Sequence, residues 1–259
     1  MINNNSKVID MQDFYPDDAY IPKQFEDLKA NIIKFDGKNY LYKYVWDERI
    51  IVNELIGSYL AKLINLEAVD YKLGLFNNKL YVLSELFFDD NFDYSYPNYI
   101  FNELDSTKLS KKLFINNIPD QYPYIKDKIL KLSMLDIKMG QYDRSSFTNI
   151  MIKKSIVSNY VDLAPIYDFG LSYPLDLEKN LLKIYYNPYL TIRKNRESLS
   201  MLLREYPQIK EYVDILSYIE MPSILTTIEN EQKINIDDKL KHYLIAKDKE
   251  YNKILKKII

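Results

Sequence analysis

Between Met139 and Leu171 the chain reads MGQYDRSSFTNIMIKKSIVSNYVDLAPIYDFGL, which places Asp143, Asn149 and Asp168 in that order. A short apolar run, Ile150 to Ile152, follows Asn149, and Phe169 and Gly170 follow Asp168. A carboxylate, an amide a few residues on, a hairpin and an Asp-Phe-Gly turn supply what phosphoryl transfer requires. Hard Mg²⁺ ions take oxygen ligands, and one further carboxylate accepts the proton of the attacking hydroxyl. In that assignment Asp143 is the base, and Asn149 and Asp168 are the metal ligands.

Composition excludes most other chemistries. The 259 residues include no cysteine and one histidine, so thiolate nucleophiles, cysteine zinc sites and histidine-based triads are ruled out. Any enzyme here works with carboxylates, lysines and hydroxyls. A net charge of -2 carries no electrostatic footprint for nucleic acid. The N-terminus, MINNNSKVIDMQDFYPDD, lacks the charged start and apolar core of a signal peptide, and no apolar run reaches membrane-spanning length. A soluble, cytoplasmic protein with no membrane span is expected.

Lys43 comes first among the elements that must position this set. Residues 31–44 read as two strands joined by Asp36-Gly37, a pair suited to a tight hairpin. Alternation along the second strand puts Leu41 and Lys43 on one face and Tyr40, Tyr42 and Tyr44 on the other. Alone, such a lysine reads as a solvated surface residue. Residues 50–66 are helical by period, with Glu54 inside the helix, and a strand lysine followed by a helix glutamate is the kinase arrangement for holding nucleotide phosphates. At 100° per residue Glu54 points away from the middle of the apolar stripe and Glu48 points toward it, so a solvated Glu54 is the competing reading.

A second hairpin, YKLGLF and KLYVLSEL around Asn77-Asn78, completes a small antiparallel sheet. Its last strand ends at Glu85 and Leu86, the expected hinge, where backbone groups would meet adenine. Residues 87–98 read as a connecting loop, whose aspartates lack the spacing of a calcium loop. Helical periods follow over 99–118 and 125–139, strands at 150–152 and 160–166, and helices from about Arg196 to the end. The lysines near the C-terminus read as the wet face of a terminal helix. Asp136, Arg144 and Asp162 read as scaffold, paired near the loop.

These pieces together resemble the HipA-like serine/threonine kinases, a family allied to the phosphoinositide-type kinases. YLYKY resembles the strand with the nucleotide lysine, NELIGSYLAKL the helix with its glutamate, GQYDRSSFTNIMI the catalytic loop, and LAPIYDFGLS the metal-binding segment. The resemblance implies that Lys43 contacts phosphate, Glu54 orients it, Asp143 is the catalytic aspartate, and Asn149 and Asp168 hold Mg²⁺. It implies a bilobal α+β protein-kinase-like fold, with an N-lobe at 1–86, a connection at 87–98 and a C-lobe at 99–259. ATP, a protein hydroxyl acceptor and an antitoxin-like partner are the implied ligands.

The chain also departs from that pattern. Ser145 stands where the family's Asp-Arg-His-x-x-Asn loop has histidine, and Asn149 follows Asp143 by six positions where the pattern has five. Either the extra residue bulges out and leaves Asn149 on the metal, or Asn149 swings away and Thr148 lies nearer that position. No Gly-x-Gly-x-x-Gly run precedes Lys43, and the extra N-terminal subdomain of HipA toxins has no counterpart. A catalytically silent nucleotide-binding or interaction module is therefore the competing class. A lipid kinase is a third, without a polybasic amphipathic segment to support it.

Overall fold

The computed structural model describes residues 9–11, 20–23, 25, 27, 31–45, 47–77, 79–97, 118–141, 144, 149–173, 203–204 and 206–256. Strands β1 (Ile9–Asp10), β2 (Ile32–Phe35), β3 (Lys38–Tyr44), β4 (Tyr71–Phe76) and β5 (Lys79–Glu85) form one sheet in the order β1-β4-β5-β3-β2. All its pairings are antiparallel except that of β1 with β4. The hairpin turns use left-handed residues where the sequence predicts them: Asp36 (φ 50°) and Gly37 (φ 73°) in one, and Asn77 (φ 49°) in the other. Tyr40 and Tyr42 of β3 pack with Leu83 and Ile33 on one face, and Leu41 joins a different cluster on the other.

Helix α1 (Glu48–Leu63) starts at Asp47, whose carboxylate accepts the Arg49 backbone N–H at 2.9 Å and satisfies one orphan donor of the first turn. Its period predicts an apolar stripe, with a solvated Glu54 as the competing reading. Every residue from Ile50 to Ser58 is buried, because the sheet, the helices later in the chain and the segment after Asp168 all pack on it.

A three-stranded antiparallel sheet carries the second half of the site: β6 (Phe92–Ser95), β7 (Ile152–Ser155) and β8 (Val161–Leu163) in that order. Two expectations need correction here. Residues 87–98 are not loop throughout, because β6 lies within them and pairs with β7, Tyr94 opposite Lys153. The strand after Asn149 begins at Ile152 rather than Ile150, with the Ala164 N–H still donating to the Met151 carbonyl in the same register. The Val69 N–H donates to the Ile166 carbonyl and the Ile166 N–H to the Glu67 carbonyl, tying the two sheets together just before Asp168.

Helices α2 (Pro123–Met139), α3 (Ile209–Tyr218), α4 (Met221–Gln232) and α5 (Asp238–Lys256) pack as the helical layer. Gly140 ends α2 in the left-handed conformation, φ 61°, returning its N–H to the last turn. Between α2 and α5 a fully buried ion pair, Lys138 to Asp248 at 2.7 Å, is completed by Asn252 and by the Tyr173 hydroxyl. All but Ile118 of the helix expected over 99–118, residues 174–202 with the start of the helices expected from about Arg196, and most of the catalytic loop, Asp143 and Thr148 included, lie outside the described residues.

Candidate active site

Asp168 anchors the site because its backbone is held from two sides. Its N–H donates to the Tyr71 hydroxyl at 3.0 Å, and its carbonyl accepts from Gln141 Nε2 at 2.6 Å and from Arg144 at 3.2 Å. With φ at 62° the residue sits in the left-handed region, an uncommon position for a residue other than glycine. The side chain stays partly exposed, and Oδ1 meets Lys43 Nζ at 3.5 Å. With the lysine side chain 61% exposed, this pair contributes little to stability. Its interest is positional: it brings a strand cation and a turn carboxylate to one opening.

Glu54 is engaged differently from the expectation. Its carboxylate accepts the Phe169 N–H at 2.7 Å and the Tyr71 hydroxyl, whereas Lys43 acts on it only through space. Burial, reinforced by repulsion from Asp168, pushes its pKa up to about 7 against the relief of those hydrogen bonds. Burial and the neighbouring Glu54 likewise push the Tyr71 phenol well above its ordinary range. Phe169 turns inward onto α1, where Gly57 leaves room for its ring; a Cβ there would lie 2.1 Å from it.

Arg144 is the buried scaffold expected, paired near the loop with Asp136. Completely buried, it pairs with Asp136 on α2 at 3.1 Å, donates to the carbonyls of Asn149 at 2.7 Å and Tyr167 at 2.8 Å, and lies 5.0 Å over the Phe169 ring. A planar guanidinium spreads five N–H donors over three nitrogens in a fixed fork and so spans separated carbonyls that a lysine's single nitrogen does not reach together. The backbone of Asn149 is thereby fixed close to the Asp168 segment. Glu85 and Leu86 sit where β5 ends, but both backbone N–H groups are taken, by the carbonyls of Asp70 at 3.1 Å and Asn39 at 2.8 Å. The Glu85 side chain is paired with Lys38 at 2.7 Å. Beyond them Leu86, Phe87, Ile32, Leu41, Met151 and Tyr167 fall in one apolar cluster drawn from both sheets.

The structure thus brings together Lys43, Glu54 and Asp168, places Asn149 beside them through its backbone, and sets Glu85 and Leu86 at the end of β5. Tyr71 and Gln141 were missed by sequence reasoning. Gln141 had a signal, standing two residues before Asp143 and directly after the helix-ending Gly140; Tyr71 had none, since its partners lie far along the chain.

No family profile matches the chain, and no curated protein matches it in sequence. Solved structures do. A proinflammatory kinase of Helicobacter pylori, CtkA, superposes with a TM-score of 0.65 at 18% identity, covering 97% of this chain and 96% of that one. The chain has a HipA-like kinase fold. HipA of Shewanella oneidensis MR-1, solved with HipB and operator DNA, superposes with a TM-score of 0.57 at 12% identity, covering 88% of this chain and 64% of that one. The chain therefore spans a little under two thirds of that HipA. Within the kinase fold the first sheet with α1 forms the small lobe, and no helix among the described residues is long and apolar enough to cross a membrane.

Proposed function

We propose that the chain is an ATP- and Mg²⁺-dependent kinase that transfers the γ-phosphate to a hydroxyl, with serine or threonine of a protein as acceptor. The observation that carries this reading is the approach of Lys43 to Asp168 at 3.5 Å on a kinase fold, a cation for phosphate beside a carboxylate for metal. The donor set suits Mg²⁺. Among the described residues no three acidic or histidine side chains cluster, and a cation held by one or two carboxylates plus substrate phosphates needs no such cluster. When bound, Mg²⁺ neutralises charge on the phosphates.

In this reading Lys43 binds phosphate, Asp168 and Asn149 hold the metal, and Asp143 takes the hydroxyl proton. Glu54 works through Phe169 and Tyr71, holding the Asp168 segment rather than the lysine. With the Glu85 and Leu86 amides already paired, the base falls to the apolar cluster of Ile32, Leu41, Phe87 and Met151. HipA is solved with a protein partner, HipB, and by that likeness an antitoxin-like partner belongs to the proposal. The second reading, a silent nucleotide-binding module, rests on the six-residue step from Asp143 to Asn149.

One experiment separates them: thermal unfolding with ATP, with and without Mg²⁺, beside incubation with γ-labelled ATP and a lysate. The kinase raises its Tm with ATP and labels itself or a protein, Lys43→Ala weakens the Tm shift, and Asp143→Asn keeps the shift but loses the label. A Tm that ATP leaves unchanged removes the nucleotide site, and a shift with no label favours the silent module.

A further inference from the structure

The terminal lysines were expected to be a solvated face, and along α5 they divide into two sets. Lys241 pairs with Glu229 at 2.8 Å and Lys247 with Glu250 at 3.2 Å. Lys249, Lys253 and Lys256, at steps of four and three residues, share one helix face and line a cavity of about 490 Å³ where α5 meets the corner between α3 and α4. Lys249 and Lys253 have no acidic partner among the described residues, and Lys256 lies 5.3 Å over the ring of Tyr218.

The carboxylates around this cavity do not cancel its charge. Asp248 is already satisfied by Lys138, Asn252 and Tyr173, which leaves Glu220 as the one uncompensated acid in the lining. The first turn of α4, twelve residues long, has no side-chain cap and opens on the same space, adding the positive end of its dipole. Ile219, Met221, Pro222 and Ile245 supply an apolar wall.

We propose that this cavity binds a small phosphate monoester bearing a compact apolar or aromatic group. Three lysines serve as point charges for the phosphate oxygens, the wall and the Tyr218 ring receive the body, and the volume lies in the range of small-ligand pockets. The site is separate from the cleft of Lys43 and Asp168 and stands whether or not that cleft transfers phosphate.

Calorimetric titration of the full chain with phenyl phosphate, inorganic phosphate and phenol tests it. Phenyl phosphate is expected to bind more tightly than either fragment. Lys249→Gln with Lys253→Gln should weaken it about tenfold or more, whereas Lys233→Gln with Lys239→Gln, exposed lysines outside the cavity, and Lys43→Ala should leave it unchanged. Absence of phenyl phosphate binding, equal loss in both double variants, loss in Lys43→Ala, or affinity no better than that of inorganic phosphate would overturn the proposal.

Discussion

Glu54 in its buried place gains a proton more readily in the folded protein than in the unfolded chain, because charge is costly where water is excluded. Its ordinary pKa is 4.5 and its folded value about 7, so between these the native state binds the extra proton and stability falls as pH rises. Below that window both states are protonated and nothing is lost; above it the cost is complete, on the order of 3 kcal/mol. Glu54→Gln is expected to equal the wild type near pH 4 and to be more stable by about 1–3 kcal/mol near pH 8, measured by denaturant unfolding. A difference that does not change with pH would show that the carboxyl is not held near neutrality. Lys43, Glu54 and Asp168 stand out in the sequence by type and order, and the fold brings the three together. Tyr71 does not stand out, since a tyrosine that bridges a carboxylate and a distant backbone N–H looks like any strand aromatic among 25 tyrosines.

At the scale of elements, the loop from Asp143 to Asn149 has one end fixed: Arg144 holds the Asn149 carbonyl at 2.7 Å, and β7 begins three residues later. If the extra residue bulges out of this loop, Asn149 keeps its place on the metal. Deleting Ser146 should then leave labelling activity level or raise it, and Asn149→Ala should lower activity and raise the magnesium requirement. Should Asn149→Ala match the wild type at limiting magnesium while Thr148→Ala is inactive, the second metal ligand lies at Thr148. The hairpins, α1 and α2 were legible, since period and turn residues act locally. Strand β6 was not: FDYS sits among Asp, Asn and Pro, and its pairing with β7 depends on a segment far along the chain. The full burial of α1 was missed for a related reason, because its further covering comes from the Asp168 segment and from α2 and α4, far along the chain.

Across the whole molecule, Lys138 and Asp248 join helices 110 positions apart in the chain, a distance no local pattern reveals. Burial pulls both toward their neutral forms, lowering the lysine and raising the aspartate, against their mutual attraction. Removing one partner of such a pair leaves a buried charge and typically costs about 3–5 kcal/mol, whereas replacing both with apolar groups is often close to neutral. Lys138→Met and Asp248→Leu should each lower the midpoint of unfolding sharply, and the double variant should recover much of the loss. Additive single effects in that cycle would mean that the pair acts through packing alone. The fold itself shows the same separation of scales, persisting to CtkA at 18% identity while no sequence profile matches.

Because Arg144 joins α2, Asn149, Tyr167 and Asp168 through one guanidinium, the two halves of the cleft should breathe as one unit rather than as two. In amide hydrogen exchange this means a shared opening free energy for residues 149–152 and 166–170, with protection rising and falling together as conditions change. Arg144→Lys keeps the charge but cannot span the same carbonyls. It is expected to split that unit into two with separate exchange rates; a common rate retained in the variant would place the coupling in the β7–β8 pairing instead.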